Sequence, residues 1–514
     1  MGNIVVIGAG IGGIASALRL AAAGHAVTVV EADAVPGGKA RHVHVAGRPV
    51  DGGPTVFTLR WVFDELLATC GHDPDSVLAA EPVDLLARHA WTGGGELDLH
   101  TDPERSAAAI DNLAGTAEAA RFRAFCARAR KVYATLERSF MAAPRPSMPG
   151  LVWRVGLRGL PGLMAASPFV SMWKALGEHF HDPRLRQLFG RYATYCGSSP
   201  WQAPSTLMLV AHAEQLGVWA PRDGMAGFAQ RLAACAEASG ARFRYGAAVS
   251  RIEVAHGRAA AVVLDDGARI TADAVIANAD PAAIAHGHFG EAARGAVDAV
   301  PADRRSLSAY VWCIAGRARG FPLARHTVFF STDYRAEFDA IFGHGTLPAE
   351  PTVYAWAADR RDDGSAPDRD ERLMFLANAP AATANPTDAH THAPLCAPPH
   401  GASAVGTDAT CAAYRDRVFS LLARCGLAVD HDDESCVVTT PQDFARRFPG
   451  SAGALYGQPT HGWRASFSRG GTRTRLPGLY LAGGGVHPGA GVPMVALSGR
   501  LAAEAVIADL ERRR

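Results

Sequence analysis

The sequence predicts an α/β protein in which a nucleotide-binding domain is assembled from three separated stretches, with an α+β second domain threaded between them. Three observations predict it. A strand from Asn3 to Ile7, a glycine loop, a helix from Ile14 to Ala23 and a strand from Ala26 to Val30 ending in Glu31 form a βαβ unit. Strand texture returns at Arg251 to Val254, Ala260 to Leu264 and Ala274 to Ala277, with a turn at Asp265-Asp266-Gly267. A last strand from Gly478 to Ala482 opens into a second glycine loop, and a helix follows from Val495 to Leu510.

Length and composition bound what such a protein does. At 514 residues, 48% hydrophobic and 20% charged, the chain is too long for one simple core. A net charge of +1 gives no field that would draw it to nucleic acid. Nine scattered cysteines without a C-x-x-C pair read as reduced thiols in a cytoplasmic protein, and no metal site is expected. Met1 to Ala9 lacks the basic start of a signal peptide. No stretch reaches the ~18 uncharged apolar residues of a membrane span. Gly159 to Trp173 is the longest apolar candidate, read as a core helix or an interfacial segment, with Trp153, Arg154, Arg158 and Trp173 suited to anionic lipid.

Within the second domain, Ser106 to Leu136 reads as helical, with Arg121, Arg123, Arg128 and Arg130 on a solvated face. Ala379 to Thr410 is rich in Ala, Pro, Thr and His and reads as a loop or flexible insertion. His390, His392 and His400 within it are irregularly spaced, and a chance cluster outweighs a metal site.

The chemistry concentrates in the glycine loops. In Gly8-Ala9-Gly10-Ile11-Gly12-Gly13, Gly8 permits the turn, Gly10 lets backbone approach a pyrophosphate, and Gly13 lets helix pack on strand. The helix start offers unpaired N–H groups to phosphates, and Glu31 is placed to accept from an adenosine ribose. This loop alone fits NAD or FAD. Gly37-Gly38-Lys39-Ala40-Arg41 and Asp51-Gly52-Gly53-Pro54-Thr55 add a second turn whose cations suit a pyrophosphate and a flavin edge. The C-terminal run Gly483-Gly484-Gly485-Val486-His487-Pro488-Gly489-Ala490-Gly491-Val492-Pro493-Met494 repeats the logic, its helix dipole facing a polar group such as the pyrimidine end of a flavin.

Leu479 to Ser498, with its His-Pro-Gly-Ala-Gly-Val-Pro core, resembles the C-terminal signature of the bacterial phytoene desaturase family of carotenoid desaturases. Gly217 to Pro221 with Asp223-Gly224-Met225, and Asn278-Ala279-Asp280-Pro281, are similar to other motifs of that family. Leu85 to His89, Leu188 to Tyr195 and His326 to Phe330 are most similar to its branch acting on C-3,4 of acyclic 1-hydroxycarotenoids of the hydroxyneurosporene type. Gly484 stands where many amine oxidases carry an acid, and Val486 replaces the family's usual Thr.

The resemblance implies an FAD-binding, Rossmann-like (amine-oxidase-like) domain from 1–83, 217–284 and 469–514, and a substrate or lid domain from 84–216 and 285–468. It implies FAD held by Gly8, Ala9, Gly10, Ile11, Gly12, Gly13, Glu31, Gly38, Lys39, Thr55, Val249, Gly483, Gly484, His487, Val492, Pro493 and Met494. His487 enters as a residue of the cofactor's surroundings, with a purely structural role as the alternative. The implied reaction is hydride transfer from a long apolar carotenoid to flavin, with quinone or oxygen as the final acceptor and peripheral contact with the inner face of a membrane. A cation delocalised along a polyene requires alignment and dryness more than a strong base, so no catalytic residue is nominated. Phe180, Tyr192, Tyr195, Trp201, Trp219, Phe329 and Phe330 are candidates to line a tunnel. Arg191 and Glu214 fit its hydroxyl end, the flavin, or equally ordinary surface or internal ion pairs. The rival readings are phytoene desaturation or carotenoid isomerisation on the same scaffold, an amine oxidase, and a non-catalytic flavin-containing carotenoid carrier.

Overall fold

The computed structural model describes residues 1–145, 147–301, 304–361, 364–382 and 409–513. His390, His392 and His400, most of the 379–410 segment and the side chain of Arg158 lie outside the described residues.

Five strands form a parallel sheet in the order Arg242–Arg244, Ala26–Val30, Asn3–Ile7, Ala274–Ala277, Leu479–Leu481. The three sequence stretches therefore meet in one sheet. Successive side chains of a strand point to opposite faces. Ile4 and Val6 pack under the helices Ile11–Ala22, Gly224–Ala238 and Val492–Glu511. Val5 and Ile7 pack on the other side, against a meander of Val249–Ala255, Arg258–Leu264 and Arg269–Thr271. Both faces are covered, which is why these strands read as continuous apolar runs.

An eight-stranded mixed sheet forms the centre of the second region. Its longest strand, Ser308–Gly320, pairs antiparallel with Glu371–Ala379, and His326–Phe330 runs parallel to Leu85–Trp91. A helical layer covers one side: Pro103–Ala114, Thr116–Leu136, Met148–Ala166, Met172–His179 and Pro183–Gly190.

Several boundaries differ from the sequence reading. The first helix starts at Ile11, directly after Gly10, and the last at Val492, because Pro493 in a first helical turn lacks only an N–H that would have no partner there. Ser106 to Leu136 is two helices broken at Gly115, whose φ of 88° suits glycine. The apolar helix begins before Gly159, at Met148, and kinks at Gly156 (φ 64°). Arg128 is no solvated arginine. It donates to Ala165 O at 2.9 Å and to Ser167 Oγ at 3.2 Å, fastening the end of that helix.

Candidate functional site

The strand Asn3–Ile7 ends in Gly8, whose N–H reaches Val30 O at 2.8 Å and whose φ is +93°. A β-carbon on Gly13 would stand 2.0 Å from the Gly8 carbonyl oxygen, and one on Gly10 would stand 2.8 Å from the Asn278 amide. Only hydrogen fits at either place. Ala9 donates its N–H to Glu31 Oε2 at 2.6 Å, and Asp33 donates to Oε1 at 2.8 Å. Burial raises the Glu31 pKa and these two bonds oppose the rise. A carboxylate has about four lone-pair sites, so Glu31 retains room to accept from a ribose. Ala247 N–H bonds Glu31 O, which brings Val249 to the same end of the cavity.

The second glycine turn lies on the first. Gly37 N–H bonds Ala9 O at 2.9 Å, and a β-carbon on Gly38 would stand 3.3 Å from Gly10 Cα. Gly53 is pressed on Lys39 O in turn. Asp51 accepts from Met225 N–H and Ala226 N–H, so the motifs starting at Asp51 and Asp223 meet at one helix start. Lys39 Nζ donates to Leu455 O at 2.6 Å, and burial pushes its pKa down to about 8 against the pull of Asp280. Arg41 is likewise depressed by burial, to about 10.

The C-terminal loop closes the arrangement. Gly483 (φ +111°) donates its N–H to Ser498 Oγ at 3.1 Å, and Gly484, Val492, Pro493 and Met494 line the cavity with Gly8, Gly10, Ile11, Gly38, Lys39 and Thr55. Ala9, Gly12 and Gly13 support the first loop from behind. His487 points elsewhere: its ring is buried, and Nε2 donates to Phe140 O and Ala143 O at 3.1 and 3.0 Å. Its contribution to the site is to hold the loop, and burial lowers its pKa to about 4.

Sequence reasoning missed three site residues. Asn278, with its amide turned to satisfy both groups, accepts from Gly10 and Gly13 N–H at 3.3 Å, and it also stands against Gly12 and Gly483. Its signal was a polar residue directly after a strand that pairs with the first one. Arg305 is buried on the cavity wall, 3.5 Å from Asp280, with Nε and Nη1 lacking hydrogen-bond partners. Arg469 binds the carbonyls of Gly484, Tyr456 and Gln458 and so fixes the last loop.

One cavity of about 2940 Å³ joins all these groups. A site for one small molecule is roughly 300–1,000 Å³, so the space exceeds what a dinucleotide alone needs. The cavity continues into the second region between Leu151, Leu163, Leu207, Val210 and Leu376, and it reaches Met164 and Phe169 at the surface. Of the seven proposed tunnel aromatics, only Tyr195 lines it. Phe180 stacks on Phe189 and Phe330 on Trp91, while Trp201 packs tilted against Trp173 and Phe329 edge-on against Phe321. The wall is mainly aliphatic.

A family model for flavin-containing amine oxidoreductases matches residues 11–374. The chain belongs to the flavin-containing amine oxidoreductase family. Its fold is the amine-oxidase-like, FAD-binding fold and its cofactor is FAD. The site fits that group on its own observations: a glycine cradle closed to any β-carbon, and a buried guanidinium with two unpartnered donors. Among relatives in the family, hydroxyneurosporene desaturase of Rubrivivax gelatinosus is 49% identical over 99% of this chain and 94% of its own length. The protein of the same description from Rhodobacter capsulatus is 46% identical over 99% and 98%. Cyclohexylamine oxidase from Brevibacterium oxydans shares the fold, with a TM-score of 0.54 at 17% identity over 99% of both chains.

Proposed function

We propose that this chain, which is an FAD-dependent carotenoid desaturase, introduces the C-3,4 double bond into an acyclic 1-hydroxycarotenoid of the hydroxyneurosporene type. The observation that carries the reading is the cavity, continuous from the glycine loops to an apolar surface and walled mainly by apolar side chains, aliphatic ones with Phe140, Trp463 and Phe467 among them. Full-length similarity to two hydroxyneurosporene desaturases supports the choice of substrate. FAD, when bound, supplies the two-electron acceptor.

The protein's share is binding, orientation and dryness. Gly8, Gly10 and Gly38 present no side chain to block a phosphate at the start of the helix Ile11–Ala22; Lys39, Arg41 and Arg305 bring positive charge. Glu31 and Val249 suit the adenosine end. Gly483, Gly484 and the helix start at Val492–Met494 suit the flavin end, where the dipole favours negative charge. Thr55 stands at the junction with the substrate space, bonded to Tyr354 in the second region. The segments 1–83, 217–284 and 469–514 make the FAD domain, and 84–216 with 285–468 make the substrate domain. Aliphatic walls align the hydrocarbon part of the polyene and exclude water.

Among the described residues no helix is long and apolar enough to cross a membrane. Lipid contact falls instead on the face formed by Trp153, Leu157, Met164 and Phe169, which are 83%, 87%, 79% and 71% exposed. Exposed apolar surface of this kind marks an interaction site. Trp173 does not belong to this face; it packs on Trp201, the two rings tilted by 31° with centroids 4.4 Å apart. Met164 and Phe169 also line the cavity, so substrate enters from the bilayer. A membrane quinone is the acceptor that shares this location, with oxygen as the alternative.

The test is turnover by the FAD-loaded protein with quinone or oxygen, given 1-hydroxyneurosporene and phytoene separately. A red-shifted product from the hydroxylated pool alone supports the reading. Conversion of phytoene alone overturns the choice of substrate, and stoichiometric FAD and pigment without any product favours a carrier.

A further inference from the structure

Beyond the glycine loops, a polar cluster interrupts the apolar wall of the cavity. It is built from Arg191, Thr55, Tyr195, Glu214 and Tyr354, all of which line the cavity. Its connections form a chain. Tyr192 and Tyr195 donate to the two oxygens of Glu214 at 2.6 and 3.0 Å. The Tyr195 oxygen in turn accepts from Arg191 Nη1 at 3.2 Å. Tyr354 OH lies 2.6 Å from Thr55 Oγ1 and 2.7 Å from His326 Nδ1. The Arg191 guanidinium lies between the Tyr195 and Tyr354 rings, 5.3 and 5.4 Å from their centroids.

The donor count singles out Arg191. A guanidinium carries five N–H donors, and here the contact with Tyr195 is its one hydrogen bond among the described residues. Among the described residues no carboxylate forms an ion pair with it. Glu214, the nearest carboxylate in the chain of bonds, is reached only through Tyr195. Aromatic faces on two sides hold the cation in place, and the surface it retains faces the cavity. An enclosed cation with unused donors is costly unless something accepts from it. The hydroxyls of Tyr195, Tyr354 and Thr55 are already committed to other partners, and the buried Tyr334 hydroxyl makes no hydrogen bond to the guanidinium. The acceptor belongs to what occupies the cavity.

The position says which atom. The cluster is tied through Tyr354 to Thr55, one of the residues proposed to hold FAD. In a 1-hydroxycarotenoid a single carbon separates C1 from C3, so an oxygen on C1 lies within a few ångström of the bond that is desaturated. A group that recognises this oxygen must stand beside the cofactor and not at the far end of the tunnel, and Arg191 lies against Tyr354, which is bonded to the proposed FAD residue Thr55.

We propose that Arg191 is a specificity-determining residue that donates hydrogen bonds to the C1 oxygen of the substrate, with Tyr195 and Glu214 holding its guanidinium in place. The proposal rests on the reading of the substrate given above and deepens it. The carotenoid then lies with its oxygenated end innermost and its tail toward the membrane face. Pairing the oxygen with Arg191 fixes the register of the polyene, so that C3 and C4, and not another pair along a repetitive chain, meet the cofactor. A carotenoid lacking the oxygen leaves the guanidinium unpartnered and slides without a stop.

The experiment compares wild type, Arg191→Met and Arg191→Lys, each FAD-loaded, on 1-hydroxyneurosporene and on neurosporene, which lacks the oxygen. Carotenoid binding is measured separately by tryptophan quenching. Arg191→Met is expected to lower kcat/KM and affinity for the hydroxylated pigment by about 10- to 100-fold, the loss of a charge-assisted hydrogen bond, while affinity for neurosporene changes by less than about threefold. Arg191→Lys is expected to recover part of the preference, since an ammonium donates but lacks the fork. An equal fall on both pigments overturns the proposal, as does a shifted flavin potential, which would assign Arg191 to the cofactor. If wild type desaturates neither pigment, the functional reading fails by itself. Preferential binding of the hydroxylated pigment, lost in Arg191→Met, would then still uphold the recognition site, and equal binding would sink it.

Discussion

Gly499 rests on Gly12: a β-carbon at position 499 would stand 2.2 Å from the Gly12 carbonyl oxygen. The start of the first helix therefore touches the last helix about two turns in, and Ser16 Oγ bonds the carbonyls of both glycines, at 2.8 Å to Gly12 and 3.0 Å to Gly499. Two loops far apart in sequence become one cradle through this contact. Gly499→Ala is expected to push the helices apart, costing about 1–3 kcal/mol as overpacking does. FAD retention during gel filtration should fall alongside the melting temperature. A variant that keeps both at the wild-type level would show that the close approach is dispensable.

Asn278 is the next joint. Replacing it with Ala leaves Gly10 and Gly13 N–H without the carboxamide oxygen, at roughly 1–3 kcal/mol for each buried group left unsatisfied. The first loop should loosen, and FAD should bind about tenfold more weakly. Fluorescence titration of the apoprotein measures it. Asn278→Asp retains an acceptor and is expected to lose less.

Lys39 makes a pH prediction in which two signs oppose each other. In the folded chain its proton leaves near pH 8, whereas an unburied lysine holds it to about 10.5. Between these values the unfolded chain binds more protons, so Lys39 makes stability rise with pH across that window. Anion binding responds in the opposite way, because a charge lost above pH 8 no longer attracts phosphate. FAD affinity is expected to be flat below about pH 8 and to fall above it. Lys39→Met should remove that slope from the titration and remove the matching rise in apoprotein melting temperature. An unchanged slope in the variant would clear Lys39 of any part in holding the cofactor.

The cradle was legible in the sequence because its requirements are local. A glycine between strand and helix, an acid at the end of the next strand and a second glycine loop each state a backbone need that no distant residue alters. Asn278 and Arg305 were not legible, since their roles arise only when Ala274–Ala277 is laid beside Asn3–Ile7 and when Arg305 is brought to Asp280. The tunnel aromatics failed for a related reason. Phe329 and Phe330 lie on a strand buried on both faces, so adjacent side chains enter two different cores and neither faces the cavity. Trp173, similarly, looked free for lipid because its partner Trp201 comes from another segment.

The apolar helix yields the last prediction. Trp153, Leu157, Met164 and Phe169 have little protein against them, and Arg128 fastens the helix end from behind. Burying such side chains in lipid is worth about 1.5–3 kcal/mol each, so a single charge placed among them should weaken binding severely. Trp153→Glu and Leu157→Glu are expected to abolish flotation with anionic liposomes at low salt while FAD content stays unchanged, because neither residue approaches the glycine loops. Turnover of carotenoid dissolved in detergent should persist, and turnover of carotenoid embedded in liposomes should fall with flotation. Trp173→Glu should behave differently: its ring packs inside the protein, so it should lower stability before it alters lipid binding. Equal flotation of wild type and both exposed-face variants would remove this surface as the route from bilayer to cavity.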